Sequence, residues 1–246
     1  RTDPHKTVKG KRGYISSIRH FLKYLEEKGD IPVGTHTALV STAKDPKKIP
    51  VIFSDMELDK IREYSDNAEN AIELRDTAIM AIGLQMGLRE SDIVALNMDS
   101  IDWKARTITI MQEKTDVGIR LPMPVDVGNK IYLYIKYGRH KTESPSLFIK
   151  NRAPYDRLSA PTCNATLKRV LPEWDVPGAG FHTPRRTFAT SKLRSKVDPD
   201  KIAVLLGQKS EDSLDHYLCY DEENMRKCPL SPEERGISLP EDYYEH

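Results

Sequence analysis

The sequence lacks any long apolar segment. Its longest uninterrupted apolar run covers residues 78–84, whereas a helix that crosses a bilayer needs about 20 such residues. No N-terminal stretch has the features of a signal peptide. We therefore expect no membrane contact and a location in the cytoplasm.

Cysteine is scarce and follows no metal-binding pattern. Cys163, Cys219 and Cys228 show neither CxxC nor Cys/His spacing, which argues against a zinc site and against a disulfide framework. No acidic metal cluster is evident either. We expect no metal and no cofactor. Apolar residues make up 38% of the chain, which at this length is enough for a sizeable core.

Net charge is also nearly absent, because 38 Lys and Arg oppose 37 Asp and Glu. The charges are unevenly placed: residues 1–48 hold 11 basic and 5 acidic residues, and the remainder holds 27 and 32. This change in charge after residue 48 predicts a small basic unit, 1–48, joined to a larger, mildly acidic one. The chain opens with Arg1 rather than Met, so we expect a further segment before it.

The basic unit predicts one amphipathic helix, in which apolar residues recur at helical spacing from Tyr14 to Leu25 and Gly29 follows the end. Residues 35–50 have the composition of a basic linker, and basic linkers often lie along phosphates. The alternative to a phosphate-binding role is that the basic helix is an ordinary solvated surface helix. The candidate DNA-binding residues of this unit are Lys11, Arg12, Arg19, Lys44, Lys47 and Lys48.

The larger unit reads as mainly helical. Ser54 and Glu57 have the spacing of a capping box that starts a helix. A second helix, with an apolar stripe at Leu74, Ala78 and Ile82, is expected to end at Gly87. Two β-prone runs, 106–111 and 118–123, indicate a hairpin. Further helices are predicted over 91–96, 126–137, 160–170, 184–194, 199–206 and 210–220.

Four short motifs follow one another along residues 86–217. They are Met86-Gly87-Leu88-Arg89-Glu90-Ser91-Asp92, Gln112-Glu113-Lys114-Thr115, His182-Thr183-Pro184-Arg185-Arg186-Thr187-Phe188-Ala189-Thr190 and Leu205-Leu206-Gly207, with Tyr217 ten residues after Gly207. Each alone is a weak signal, but their order resembles the tyrosine site-specific recombinases, the integrase family. The resemblance implies an α+β fold, mainly helical with a small antiparallel sheet.

The resemblance also implies how the chain is divided. Residues 1–48 would be the C-terminal part of a helical core-binding domain with its linker, and 49–225 the catalytic domain. Residues 226–246 would form a tail that is either exchanged between protomers or disordered.

The resemblance assigns a role to each site residue. Arg89 and Arg185 would bind the scissile phosphate, and Lys114 would protonate the leaving 5′ oxygen. Tyr217 would be the nucleophile. His182 would act either as its base or as a hydrogen-bond donor to the phosphate. Asp92 would orient a catalytic neighbour. Gln208 departs from the family, which usually has His or Trp there, and Gln cannot carry a proton. Tyr220 is the alternative nucleophile.

The implied activity is site-specific recombination of double-stranded DNA through a 3′-phosphotyrosyl intermediate, in the nucleoid. It implies a homotetramer on paired sites, a monomer or weak oligomer without DNA, and accessory DNA-bending proteins as further partners. The Lys-Thr hairpin favours a phage or mobile-element integrase. A catalytically silent DNA-binding relative and a type IB topoisomerase remain as alternatives.

Overall fold

The computed structural model describes residues 8–39, 51–111 and 118–207. The chain divides into two compact units, Arg1–Lys48 and Ile49–His246, and each is described by itself. Within the described ranges no helix is both long enough and apolar enough to cross a membrane.

The first unit consists of helix α1 (Val8–Lys28) and a 3₁₀ turn (Thr35–Ala38). His36 joins the turn to the helix: its backbone N–H donates to Glu26 Oε1 at 2.7 Å, and its ring Nδ1 lies 2.8 Å from Glu26 Oε2. The backbone hydrogen bond from His36 is the main reason why the pKa of Glu26 is lowered. The predicted helix is present in this unit.

Helix α3 (Ala71–Met86) is the centre of the second unit. Its residues from Leu74 to Gly83 are all buried, and a helix that is buried on every side must be surrounded by other elements. The sequence predicted a single apolar stripe, so this all-round burial was not anticipated. The elements around it are α2 (Asp55–Asp66), α4 (Glu90–Ala95), α5 (Val125–Leu133) with a following π-helical turn (Tyr134–Gly138), α6 (Pro161–Val170) and α7 (His182–Arg194).

Two capping boxes start the first helices of this unit. The backbone N–H of Ser54 donates to Glu57 Oε2 at 2.6 Å, and Glu57 N–H donates back to Ser54 Oγ at 3.4 Å, which confirms the predicted start of α2. Asn70 and Glu73 form the same arrangement before α3. This second box was not predicted from the sequence.

A buried carboxylate ties α3 to α6. Asp76 is completely buried and accepts hydrogen bonds from Thr166 Oγ1 at 2.8 Å and from Arg169 Nη2 at 2.9 Å. Its neighbour Arg75 is also buried and donates to the Ile149 carbonyl at 3.1 Å. Removing one member of such a network would leave an uncompensated charge in the core. This network holds the scaffold behind the candidate site.

The sheet has three antiparallel strands in the order β1 (Ile101–Asp102), β2 (Thr107–Met111) and β3 (Gly118–Pro122). Ile108 pairs with Leu121 and Ile110 with Ile119, and Ile108, Ile110 and Leu121 face the core. The two predicted strands are confirmed. β1 was not predicted, because two residues show no alternation.

The later helices agree with the sequence. α6 and α7 end where expected, α7 begins two residues earlier than predicted, and α8 covers Pro199–Leu205. The helix predicted over 210–220 lies outside the described residues. The fold is therefore mainly helical with a small antiparallel sheet, as predicted.

Gly87 ends α3 in a position that only glycine fits. Its φ of 66° lies in the left-handed region, and a Cβ there would stand 2.6 Å from Phe188 Cδ1 and 2.7 Å from Leu206 Cδ2. Phe188 lies on α7 and Leu206 directly follows α8. The close approach of three segments thus depends on this residue having no side chain.

We predict that Gly87→Ala lowers the free energy of unfolding more than Gly178→Ala does. Both glycines have positive φ, 66° and 76°, but a Cβ at Gly178 meets nothing within 4 Å. Both variants incur a conformational cost of about 1–2 kcal/mol, and Gly87→Ala adds about 1–3 kcal/mol for overpacking. Urea denaturation of both variants measures the difference. Equal losses would contradict the packing argument.

Candidate active site

The turn after Gly87 places Arg89 at the start of α4. Arg89 is the N-cap residue of that helix, with extended backbone angles, and its side chain is 22% exposed. Its Nη1 lies 3.7 Å from Asp92 Oδ2, one helical turn further on. The guanidinium therefore combines access to solvent with a buried counter-charge.

Arg185 lies on the first turn of α7 and is only 4% exposed. Its Nη1 donates to the Gly87 carbonyl at 2.7 Å, and its Nη2 donates to the Leu206 carbonyl at 2.9 Å. These two bonds fix the plane of the guanidinium between the end of α3 and the segment after α8. They also place Arg185 beside the Leu-Leu-Gly motif.

Asp92 is the buried carboxylate of the site. It is 3% exposed, and within the described residues its Oδ2 has no hydrogen-bond partner. Burial raises the pKa of Asp92, while the charges of Arg89 and Arg185 act in the opposite direction. Asp92 thus lies next to Arg89 and within the electrostatic influence of Arg185. Its role in orienting a catalytic neighbour stays a prediction.

His182 is the first residue of α7 and is exposed. Partial loss of hydration lowers the pKa of His182, and the positive charges of Arg186, Arg185 and Arg89 lower it further. Glu90 is the carboxylate that opposes them. A lowered pKa keeps the imidazole neutral at pH 7, which is the form that can accept a proton.

The charges around His182 do not cancel. Arg89, Arg185 and Arg186 oppose the two carboxylates Asp92 and Glu90 in the electrostatics of this cluster. An excess of positive charge with guanidinium donors is suited to binding a phosphate oxygen. Among the described residues no group of three His, Cys, Asp or Glu side chains could hold a metal ion.

The structure brings four of the predicted site residues together, namely Arg89, Asp92, His182 and Arg185. Lys114, Gln208, Tyr217 and Tyr220 lie outside the described residues, as do Lys44, Lys47 and Lys48. Lys11 and Arg12 lie in α1, but their side chains are also outside the description. Arg19, predicted to bind DNA, donates from Nη2 to the Leu39 carbonyl of its own unit.

Two residues of this cluster, Glu90 and Asn164, were not predicted from the sequence. Glu90 lies inside the first motif and was overlooked because the motif is recognised by its arginine. Asn164 lies on α6, 74 residues from Glu90, and nothing in the local sequence indicates that the two meet.

The chain is similar in sequence to known proteins. Residues 30–224 match the phage integrase family. The protein named integrase/recombinase y4gC of Sinorhizobium fredii is 34% identical over 160 residues, which cover 64% of this chain and 82% of y4gC. Tyrosine recombinase XerC of Mannheimia succiniciproducens is 24% identical over 217 residues, covering 82% of this chain and 68% of XerC.

A solved structure has the same fold. The XerH site-specific recombinase bound to a palindromic difH substrate superposes with a TM-score of 0.74 at 16% identity, covering 90% of this chain and 66% of XerH. The chain belongs to the phage integrase family. The predicted class of enzyme, a tyrosine recombinase, is confirmed.

We predict that Arg185→Lys destabilises the second unit by about 1–3 kcal/mol. Lysine keeps the charge but has no planar fork that could bind the carbonyls of Gly87 and Leu206 together. The measurement is the free energy of unfolding in urea, with Arg186→Lys on the same helix as the matched control. The control should stay within about 0.5 kcal/mol of the wild type. A loss as large in the control would refute the bridging role.

Proposed function

We propose that the protein is a site-specific recombinase that cleaves and rejoins DNA strands through a covalent 3′-phosphotyrosyl intermediate. The observation that carries this proposal is the positive cluster at the starts of α4 and α7, in which Asp92 pairs with Arg89 and also feels the charge of Arg185. Family membership supplies the chemistry that such a cluster serves.

The arginines would bind the scissile phosphate. Guanidinium groups match the geometry of non-bridging phosphate oxygens, and their charge stabilises the additional negative charge of a pentacoordinate transition state. The bonds of Arg185 to the carbonyls of Gly87 and Leu206 hold it in place before DNA arrives. Preorganised charge of this kind needs no rearrangement during the reaction.

Tyr217 would attack the phosphorus, and the bond to the 5′ oxygen would break. A free tyrosine has a pKa of about 10, so it needs a base, and neutral His182 would accept its proton. Lys114 would protonate the departing 5′ oxygen. Gln208 would hold a phosphate oxygen by a hydrogen bond. A 5′ hydroxyl from another strand then reverses the step, and no ATP is needed because the bond energy is conserved.

The assembly belongs to the same proposal. Residues 1–48 would form the end of a core-binding domain, and 49–225 the catalytic domain, so that duplex DNA is clamped by both. Four protomers would act on two paired sites, with the tail 226–246 exchanged between neighbours in a cyclic arrangement. The likeness to y4gC supports an integrase of a mobile element or phage. DNA-bending proteins are the expected accessory partners.

We predict that a suicide DNA substrate traps a covalent protein–DNA adduct with wild type and with Tyr220→Phe, and not with Tyr217→Phe. Tyr217→Phe, which lacks the attacking oxygen, first selects binding sites from a pool of randomised duplexes. The selected duplex, nicked next to the cleavage position, is then incubated with each protein. Denaturing gels measure the adduct.

Other results of the same assay decide between the alternatives. Loss of the adduct only in Tyr220→Phe would identify Tyr220 as the nucleophile in place of Tyr217. A selected duplex that binds but yields no adduct with wild type would indicate a catalytically silent relative. An adduct combined with relaxation of supercoils and no strand exchange between two sites would indicate a type IB topoisomerase.

We also predict how cleavage depends on pH. Because the pKa of His182 is lowered below its ordinary value of 6.5, the imidazole is neutral at pH 7 and the rate of adduct formation should be level there. The rate should fall as the pH drops through the pKa of His182, since the protonated ring cannot accept the tyrosine proton. Single-turnover rates from pH 5 to 8 measure this, and His182→Gln should lack the acidic decline. An acidic decline that persists unchanged in His182→Gln would contradict the proposed base.

A further inference from the structure

Asn164 connects the two helices that carry the arginines. The backbone N–H of Phe181, the residue before α7, donates to Asn164 Oδ1 at 2.9 Å. The other end of the same amide, Nδ2, donates to Glu90 Oε2 at 3.4 Å. The Asn164 side chain therefore contacts both Glu90, which follows Arg89, and Phe181, which precedes His182.

The amide is well suited to this place. It has an acceptor and a donor on one planar group, and the bridge uses the acceptor for a backbone N–H and the donor for a carboxylate. Asn164 is half-buried, and a Cβ at Gly180 would stand 3.0 Å from its Oδ1. The chain entering α7 thus lies close against this oxygen.

We propose that Asn164 is a positioning residue of the recombinase site, which acts by holding the Glu90 carboxylate in place beside His182. The inference rests on the proposed function, in which His182 accepts the tyrosine proton. Asn164 would not touch the DNA; it would act through Glu90.

The pKa of His182 depends on the position of Glu90, because Glu90 is the one carboxylate among the four charges of the described residues that act on the ring. On α7 they are Arg185 and Arg186, and at the start of α4 they are Arg89 and Glu90. Three of these four charges favour the neutral ring, so the single carboxylate limits how far the basicity of His182 falls. If Glu90 were released towards solvent, water would screen its charge and its effect on the imidazole would weaken.

A double-mutant cycle on the DNA-free protein tests this. The pKa of His182 is measured by NMR titration, and its signal among the seven histidines is assigned by its absence in His182→Gln. Glu90→Gln removes the charge and should lower the measured pKa by about half a pH unit, the scale expected for one charge at a partly solvated site. Asn164→Leu should lower it in the same direction by less.

The double variant Glu90→Gln with Asn164→Leu should have the same His182 pKa as Glu90→Gln alone, because Asn164 then has no charge to hold in place. Additive shifts, or no shift in Asn164→Leu, would overturn the inference. Asn164→Ala gives the same test if the leucine variant does not fold. Exposed Asn129 and Glu143 provide the matched controls Asn129→Leu and Glu143→Gln, which should leave the His182 pKa unchanged.

The covalent adduct gives a second readout. In Asn164→Leu the acidic decline of the adduct rate should move to lower pH together with the NMR value, whereas a purely structural defect would lower the rate equally at every pH. If wild type forms no adduct, the proposed function fails, while the NMR cycle still tests whether Asn164 holds Glu90 in place. If the adduct forms but the pKa shifts of Glu90→Gln and Asn164→Leu are additive, only the positioning role of Asn164 is overturned.

Discussion

The second unit depends on one buried guanidinium. Arg185 donates to the carbonyl of Gly87 and to that of Leu206, so a single side chain joins the end of α3 to the segment after α8. Gly87 makes this possible, because any side chain there would collide with Phe188 and Leu206. A charge that is 4% exposed is costly without partners, so loss of these bonds would destabilise the fold and displace the site together.

Two buried carboxylates have different surroundings, one in the core and one in the candidate site. Asp76 accepts hydrogen bonds from Thr166 and Arg169, and its charge is matched within the core. Asp92 is buried to a similar degree, yet its Oδ2 has no hydrogen-bond partner within the described part of the chain, and burial raises its pKa. Asp76 fastens α6 to α3, whereas Asp92 is placed at the start of α4, where the charges of Arg89 and Arg185 act on it.

Local sequence signals predicted local structure well. The Ser54–Glu57 capping box, the two strands of the hairpin and the C-terminal ends of α6 and α7 are all short-range features. Their interacting residues are at most 15 positions apart, as in the pairing of Thr107 with Pro122. The predictions were incomplete where packing decides. The stripe at Leu74, Ala78 and Ile82 did not indicate that α3 is buried on every side, because burial depends on which elements surround a helix.

The sequence by itself determined the family and the residues that carry its motifs, since Arg89, His182 and Arg185 are recognisable from their immediate neighbours. Only the tertiary structure decided how they meet. The bond from Arg185 to Gly87 spans 98 positions and that from Asn164 to Glu90 spans 74. Such contacts leave no periodic trace in the chain, because they form only when separate helices pack around α3. The electrostatics of His182 are likewise a property of that packing, as its pKa depends on charges from two helices.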